Sequence, residues 1–201
     1  MNISFLEKSR SILLDILFRQ GYLPPEELND IENLEELEYV LSKENGDTCF
    51  VCWLPTSCGT GDIRRITSIM EESDISVANI VTLCEVPFTG DKGSRKGVTP
   101  DAQKTINTLL KKGITIWVWK LEETLIDISK HCYVPEHFIC SEKEASEVIK
   151  KYGKKSKLPS IRRNDVMIRF IGASKGQIIR IEEDSFCLHG EKTIRYVSVV
   201  S

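Results

Sequence analysis

The chain has 201 residues, a formal net charge of −3, 41% hydrophobic and 28% charged residues. That length holds one large domain or two modest ones, and the mild acidity argues against a free-standing, strongly basic nucleic-acid binder while leaving room for local basic patches. Apolar runs such as Ile12–Leu17 are interrupted by charge and too short for a bilayer span, Met1-Asn2-Ile3-Ser4 does not read as a secretory leader, and seven irregularly spaced cysteines suit a reducing compartment better than a disulfide framework.

Residues 4–20 carry the period of an amphipathic helix with Phe5, Ser9, Ile12, Leu13 and Ile16 on one stripe, ended by Gly21 and Pro24-Pro25. The acidic stretch 26–39 keeps Leu28, Ile31, Leu34 and Leu37–Val40 at three-to-four spacing, which predicts one or two helical segments with a solvated charged face. Thr48–Leu54, bounded by Asn45-Gly46-Asp47 and Pro55, predicts a buried strand. Ile63, Ile66, Ile69 and Met70 predict a helix capped by Thr60 or Asp62. Further strands are expected at Val77–Val86 and Ile114–Trp119, with a helix between them opened by Thr99-Pro100 and stopped by Gly113. This alternation predicts an α/β layer joined by right-handed crossovers. The loop Thr89–Gly97 holds three glycines with Lys92, Arg95 and Lys96 and should be exposed.

A short helix is expected within Leu121–Lys130, then a domain boundary near 131–135 that separates residues 1–132 from 133–201. Ser141 and Glu144 match a capping box ahead of a stripe of Ala145, Val148, Ile149 and Tyr152. Lys150 to Arg163 contains seven basic residues and no acidic one. It reads first as a solvated linker, second as a dock for an acidic partner face, third as a phosphate contact. Asp165 can cap a helix over 166–171, and strands at 177–182 and 193–200 would pair through the loop between them. The second domain is thus small and α+β.

No chemistry with a strong local signature emerges. Cys49 and Cys52 sit three apart on a strand, so their thiols should diverge and read as core cysteines rather than metal ligands. His131, Cys132, His137 and Cys140 fit no closed zinc pattern. Neither Gly90 nor Gly93 has the glycine five residues on that a phosphate loop needs. A metal-dependent nuclease would place an Asp and an acidic-x-Lys pair on such a layer, yet no lysine here has Asp or Glu two residues before it. No catalytic residue, cofactor or metal is expected.

The last third carries an ordered set of landmarks. These are Val134-Pro135-Glu136-His137, then Leu158-Pro159 with Ile161, then Asp165, Val166, Arg169 and Gly172, then Gly176, Gln177, Ile179 and Ile181. In order and spacing this resembles the C-terminal assembly domain of the fifth common subunit of eukaryotic RNA polymerases, a domain with a small archaeal counterpart. Upstream, the order of helices and strands is similar to the family's jaw domain. Two departures stand out: Val166 where family members carry proline, and a remodelled hairpin from Glu183 to Gly190 with Tyr196 at altered spacing.

The resemblance implies an α/β N-terminal jaw domain, of the layered restriction-endonuclease type, and an α+β assembly domain. It implies a non-catalytic polymerase subunit whose partners are the largest subunit, other polymerase subunits and, weakly and without sequence preference, downstream duplex DNA, with no membrane. Docking would run through Pro135, His137, Leu158, Pro159, Ile161, Arg169, Gly172, Gly176, Gln177 and Tyr196, and DNA would pass near Lys92, Arg95 and Lys96. Residence would be nuclear, or in virion and host cytoplasm for a virus-encoded polymerase. The rival readings are a metal-dependent nuclease on the same scaffold and a free-standing nucleic-acid adaptor.

Overall fold

Strands Glu38–Ser42 (β1), Thr48–Leu54 (β2), Val77–Thr82 (β3) and Thr115–Lys120 (β4) lie side by side in that order in the computed structural model, which describes residues 3–25, 31, 37–83, 97–184 and 191–200. The chain divides into two units, Met1–Ile126 and Asp127–Ser201, so the division falls ahead of the 132/133 boundary.

In the first unit β2, β3 and β4 run parallel, with Cys49 opposite Val77 and Val77 opposite Thr115. Parallel neighbours need crossovers, and helices α2 (Thr60–Glu72) and α3 (Pro100–Lys111) supply them. Buried on both faces, the central strands are continuous apolar runs. One face places Phe50, Cys52, Leu54, Ala78, Ile80 and Ile116 against Ile63, Ile66 and Met70 of α2 and Ala102 and Ile106 of α3. The alternate residues Val51, Trp53 and Trp119 are also buried, and Trp53 meets helix α1 (Ile3–Arg19) through Ser9.

Three local expectations are corrected here. The buried stripe of α1 is Leu6, Ser9, Leu13, Leu14, Ile16 and Leu17, whereas Phe5 is 48% exposed and Ile12 half-buried. Ser9, common to both stripes, meets the buried indole of Trp53, and around it Leu6, Leu14 and Leu17 take the buried places expected of Phe5 and Ile12. The N-cap of α2 is Gly59, whose N–H donates to the Asp62 carboxylate at 2.8 Å, so neither Thr60 nor Asp62 occupies the cap itself. Residues 38–40, expected to be helical, belong to β1. The Asn45-Gly46 turn, with Gly46 at φ 90°, folds the chain back so that Tyr39 and Leu41 face the same side as Val51 and Cys49. Over five residues the two periods are hard to tell apart, and the hairpin decides. Most of the rest of the acidic stretch lies outside the described residues.

The second unit holds strands Glu136–Ile139 (β5), Ser160–Arg162 (β6), Ile178–Asp184 (β7) and Lys192–Val200 (β8), ordered β5-β7-β8-β6. All pairs are antiparallel except β6 with β8. The hairpin β7–β8 was legible in the sequence; β5 and β6 were not, being short strands that add to its two edges. Helix α5 (Val166–Phe170) puts Ile168 against Ile179, Ile181, Val197 and Val199 on one face. Helix α4 (Glu142–Tyr152) puts Val148 against Ile178 and Leu158, with Ala145 and Ile149 packed around them.

Tyr152 is 45% exposed rather than part of that stripe. The expected helix within 121–130 is two 3-10 turns, 121–124 and 128–130, the second started by the Asp127 carboxylate accepting from Ser129 N–H. Nor is the basic stretch a linker. Its centre buries Leu158, its end forms β6, and Arg163 is only 8% exposed.

Candidate functional site

The residues singled out in the last third gather at two ends of the second sheet. At one end, the loop from α5 into β7 is built from two left-handed glycines, Gly172 at φ 68° and Gly176 at φ 87°. Only residues without a Cβ adopt such angles cheaply. Gly176 N–H donates to Val199 O at 3.0 Å, and its own carbonyl accepts from the Lys155 ammonium at 2.7 Å. The Gln177 side-chain oxygen accepts from Ser174 N–H at 2.6 Å, closing the same turn. Pro159, itself exposed, offers its carbonyl to Ser198 N–H at 2.8 Å, and Ile161 lies opposite Val199 in β6. Leu158 (8% exposed) and Arg169 (7% exposed) are under the surface. These residues shape the corner from beneath, while Pro159 and the 174–177 turn present it.

At the other end stand Pro135 and His137. The Pro135 carbonyl and His137 Nδ1 are 2.8 Å apart, and His137 pairs with Ile181 in the ladder. Tyr196, opposite Arg180 on β8, lies on the face that α4 partly covers; its hydroxyl is 3.4 Å from Glu144 Oε1. Sequence reasoning missed the charge ladder that stitches this face. Arg180 meets Glu144 at 3.0 Å and Glu182 at 2.9 Å, and Lys192 meets Glu182 at 3.2 Å and Glu136 at 2.8 Å. The signal was the alternation Arg180-x-Glu182 on β7 facing Lys192 across the hairpin, readable only once the register is known.

Ser141 accepts from Glu144 N–H at 3.3 Å, which is half of the expected capping box; the Glu144 carboxylate is turned toward Arg180 and Tyr196. A cleft of about 510 Å³ opens beside this ladder, lined by His131, Cys132, Tyr133 and Pro135 on one side and Glu182, Asp184 and Lys192 on the other.

Cys49 and Cys52 do what alternation predicts. Cys52 faces α2 and α3, while Cys49 points to the opposite side, near Tyr22. Burial pushes the Cys49 and Cys58 thiols up to about 12 and raises Cys52 as well, so all three are neutral near pH 7 and poor nucleophiles. Among the described residues, no group of three or more His, Cys, Asp or Glu is placed to hold a metal ion. No helix among them is long and apolar enough to cross a membrane. Lys92, Arg95 and Lys96 lie outside the described residues.

What the geometry offers, then, is surface rather than a reaction centre: a hairpin sheet with fixed corners, a charge ladder and a shallow cleft. Comparison with known proteins points the same way. Residues 126–197 match the family model described as RNA polymerase Rpb5, C-terminal domain. Over 196 residues the chain is 26% identical to "DNA-directed RNA polymerases I, II, and III subunit rpabc1" of Dictyostelium discoideum, covering 92% of both chains. It is 30% identical over 127 residues to the subunit RPABC1 of Caenorhabditis briggsae, covering 63% of this chain and 54% of that one. A third relative is "DNA-directed RNA polymerase V subunit 5A" of Arabidopsis thaliana, 29% identical over 85 residues that cover 42% of this chain and 37% of that one. Residues 126–197 thus carry an RNA polymerase Rpb5 C-terminal domain, and the chain as a whole is similar to common subunits of eukaryotic DNA-directed RNA polymerases.

Proposed function

We propose that this protein is built into a multisubunit DNA-directed RNA polymerase through its second unit, which docks on the largest subunit, while its first unit serves as part of the lower jaw beside downstream DNA. The observation that carries the reading is the full-length similarity to a common polymerase subunit, 92% of each chain, which embraces both units. Supporting it, the second unit spans only 75 residues, Asp127–Ser201, and leaves Phe138, Ile139, Ile194 and Val200 between 37% and 50% exposed. A domain that small gains stability by covering apolar surface on a partner.

The docking surface in this proposal comprises the corner presented by Pro159, Gly176 and Gln177 and the opposite end at Pro135 and His137, with Tyr196 on the face between them and Leu158, Ile161, Arg169 and Gly172 holding it in shape. DNA proximity through Lys92, Arg95 and Lys96 would be electrostatic and sequence-independent. The setting is the nucleus; a virus-encoded polymerase would place the protein in the virion and host cytoplasm.

Cross-linking of the assembled polymerase tests the arrangement. Lysines of residues 127–201 should cross-link to the largest subunit, and downstream DNA carrying photoreactive bases should label residues 1–126. Labelling of the second unit by DNA, with no cross-link from it to the largest subunit, would defeat the proposal.

A further inference from the structure

The fold and the docking reading account for Leu158, Pro159, Ile161 and Arg163 of the basic stretch 150–163 but not for its exposed cations. Lys150 and Lys151 close the last turn of α4, where cations meet the carbonyl end of the helix dipole, and need no other purpose. Lys154, Lys155, Lys157 and Arg162 lie beyond the helix, all exposed or nearly so. The fold adds a fifth cation to them. The bond from the Lys155 ammonium to Gly176 O, 2.7 Å, pins the 3-10 turn Lys155–Lys157 against the 174–177 turn, and that turn exposes Lys175. Lys157 folds back over Gly153, the residue before Lys154. Arg162 joins them because β6 pairs with the end of β8, two residues of which, Val199 and Val200, bond to Gly176 and Arg163. Among the described residues, none of these five cations is paired with a carboxylate. The ion pairs of the second unit are concentrated instead on its charge ladder.

The structure also turns outward the one aromatic ring of the stretch, which the sequence had assigned to the buried stripe of α4. Tyr152 is 45% exposed at the end of α4, with the Lys151 ammonium 5.2 Å from its ring centre and the Tyr196 ring 6.4 Å away behind it. Clustered unneutralised cations attract a polyanion, and an exposed ring among them distinguishes a strand with free bases from an acidic polypeptide. Bases stack on such rings regardless of sequence, while the lysines follow the phosphates.

We propose that Lys154, Lys155, Lys157, Arg162 and Lys175, with Tyr152, form a sequence-independent binding surface for single-stranded nucleic acid on the second unit. This is separate from the duplex-DNA contact assigned to the first unit, and because it borders the 174–177 corner assigned to docking it is a property of the free chain.

The test is fluorescence anisotropy on the purified full-length chain, with single-stranded RNA and DNA of about 20 nucleotides, a duplex of about the same length and a poly-glutamate peptide as probes over a salt series. Single strands should bind best, with log Kd rising with log salt at a slope of about 3, as expected for about four phosphate contacts at roughly 0.7 each. The combined substitution Lys154→Glu, Lys157→Glu and Lys175→Glu should weaken binding at least tenfold with the circular dichroism spectrum unchanged. Tyr152→Ala should weaken single-strand binding several-fold and Tyr152→Phe should restore it. Reversal of Lys92, Arg95 and Lys96 should leave it intact.

The proposal is overturned if the triple reversal has no effect, or if reversal at Lys92, Arg95 and Lys96 abolishes binding instead. It is equally overturned if the duplex binds as well as single strands with Tyr152→Ala silent, or if the acidic peptide binds more tightly than either nucleic acid.

Discussion

The two units solve the problem of burying a sheet differently. The first covers both faces of β1–β4 with its own helices, and among the described residues most of the large fully buried side chains lie there, Trp119, Leu13, Ile63 and Met70 included, against Ile168, Ile178 and Ile179 in the second. The second has two small cores on opposite faces of its hairpin sheet. Both units leave large apolar side chains exposed, Phe5, Phe18 and Val40 in the first and Phe138, Ile139 and Ile194 in the second, so the size of the core is what separates them. A unit of the first kind holds its shape by internal packing. A unit of the second kind is closer to the margin, and in the function proposed here a partner surface completes it. The difference teaches where to look for function: in the unit whose packing is unfinished.

That contrast can be broken most sharply at Trp119. Its ring is fully buried and its Nε1 donates to Asn79 Oδ1 at 3.0 Å, so Trp119→Ala should cost about 3–5 kcal/mol. Urea denaturation should show that loss whether or not a partner is present. Ile168→Ala, in the smaller core, should cost about 2–5 kcal/mol in the free chain. Here assembly into a polymerase should recover much of the loss in thermal stability, because whatever binds only the folded state adds to its stability. Equal loss in free and assembled protein would erase the distinction between the units.

Next in size is Ser9. Its hydroxyl accepts from Trp53 Nε1 at 3.0 Å and lies 2.7 Å from Thr124 Oγ1, tying α1, β2 and the 121–124 turn at one buried point. Ser9→Ala leaves the indole N–H without its acceptor and should cost about 1–3 kcal/mol in the same urea titration.

The alkaline limb gives the finest comparison. Cys49 and Cys58 titrate near pH 12 in the folded chain against an ordinary value of 9.0. Their folded-state values are raised, so the contribution of the neutral thiols is complete below about pH 9 and is lost as pH climbs toward 12. In the second unit Cys140 is raised less, to about 11. Stability should be flat in the neutral range, and alkaline unfolding followed by hydrogen exchange should open the first unit preferentially. Cys49→Ser with Cys58→Ser should make the limb shallower, with the part due to the raised Cys52 thiol and Tyr22 hydroxyl remaining.

How much of this was legible in the residues follows from how local each signal is. β2 and the β7–β8 hairpin announce themselves through β-branched runs between turn residues, and α3 through Thr99-Pro100, where Thr99 Oγ1 accepts from Ala102 N–H at 3.3 Å. The divergence of Cys49 and Cys52 followed from strand geometry alone. The failures are non-local. β1, β5 and β6 are strands of three to five residues that exist because a neighbour offers an edge. Phe5 has the spacing of a core residue, but the face of α1 is set by Trp53 and Thr124, far along the chain. The landmarks of the last third were readable as an ordered motif. That Leu158 and Arg169 lie beneath the surface while Pro159 stands on it depended on a register no local pattern reveals.

The central claim is that the protein works as a fixed part of a polymerase. Native mass spectrometry of the complex captured through a tag on this chain measures it directly. One copy should be found with one copy of each of the two largest polymerase chains, in assemblies that survive moderate salt. Recovery of the chain alone, with those large subunits absent from its gently prepared complexes, would contradict the account.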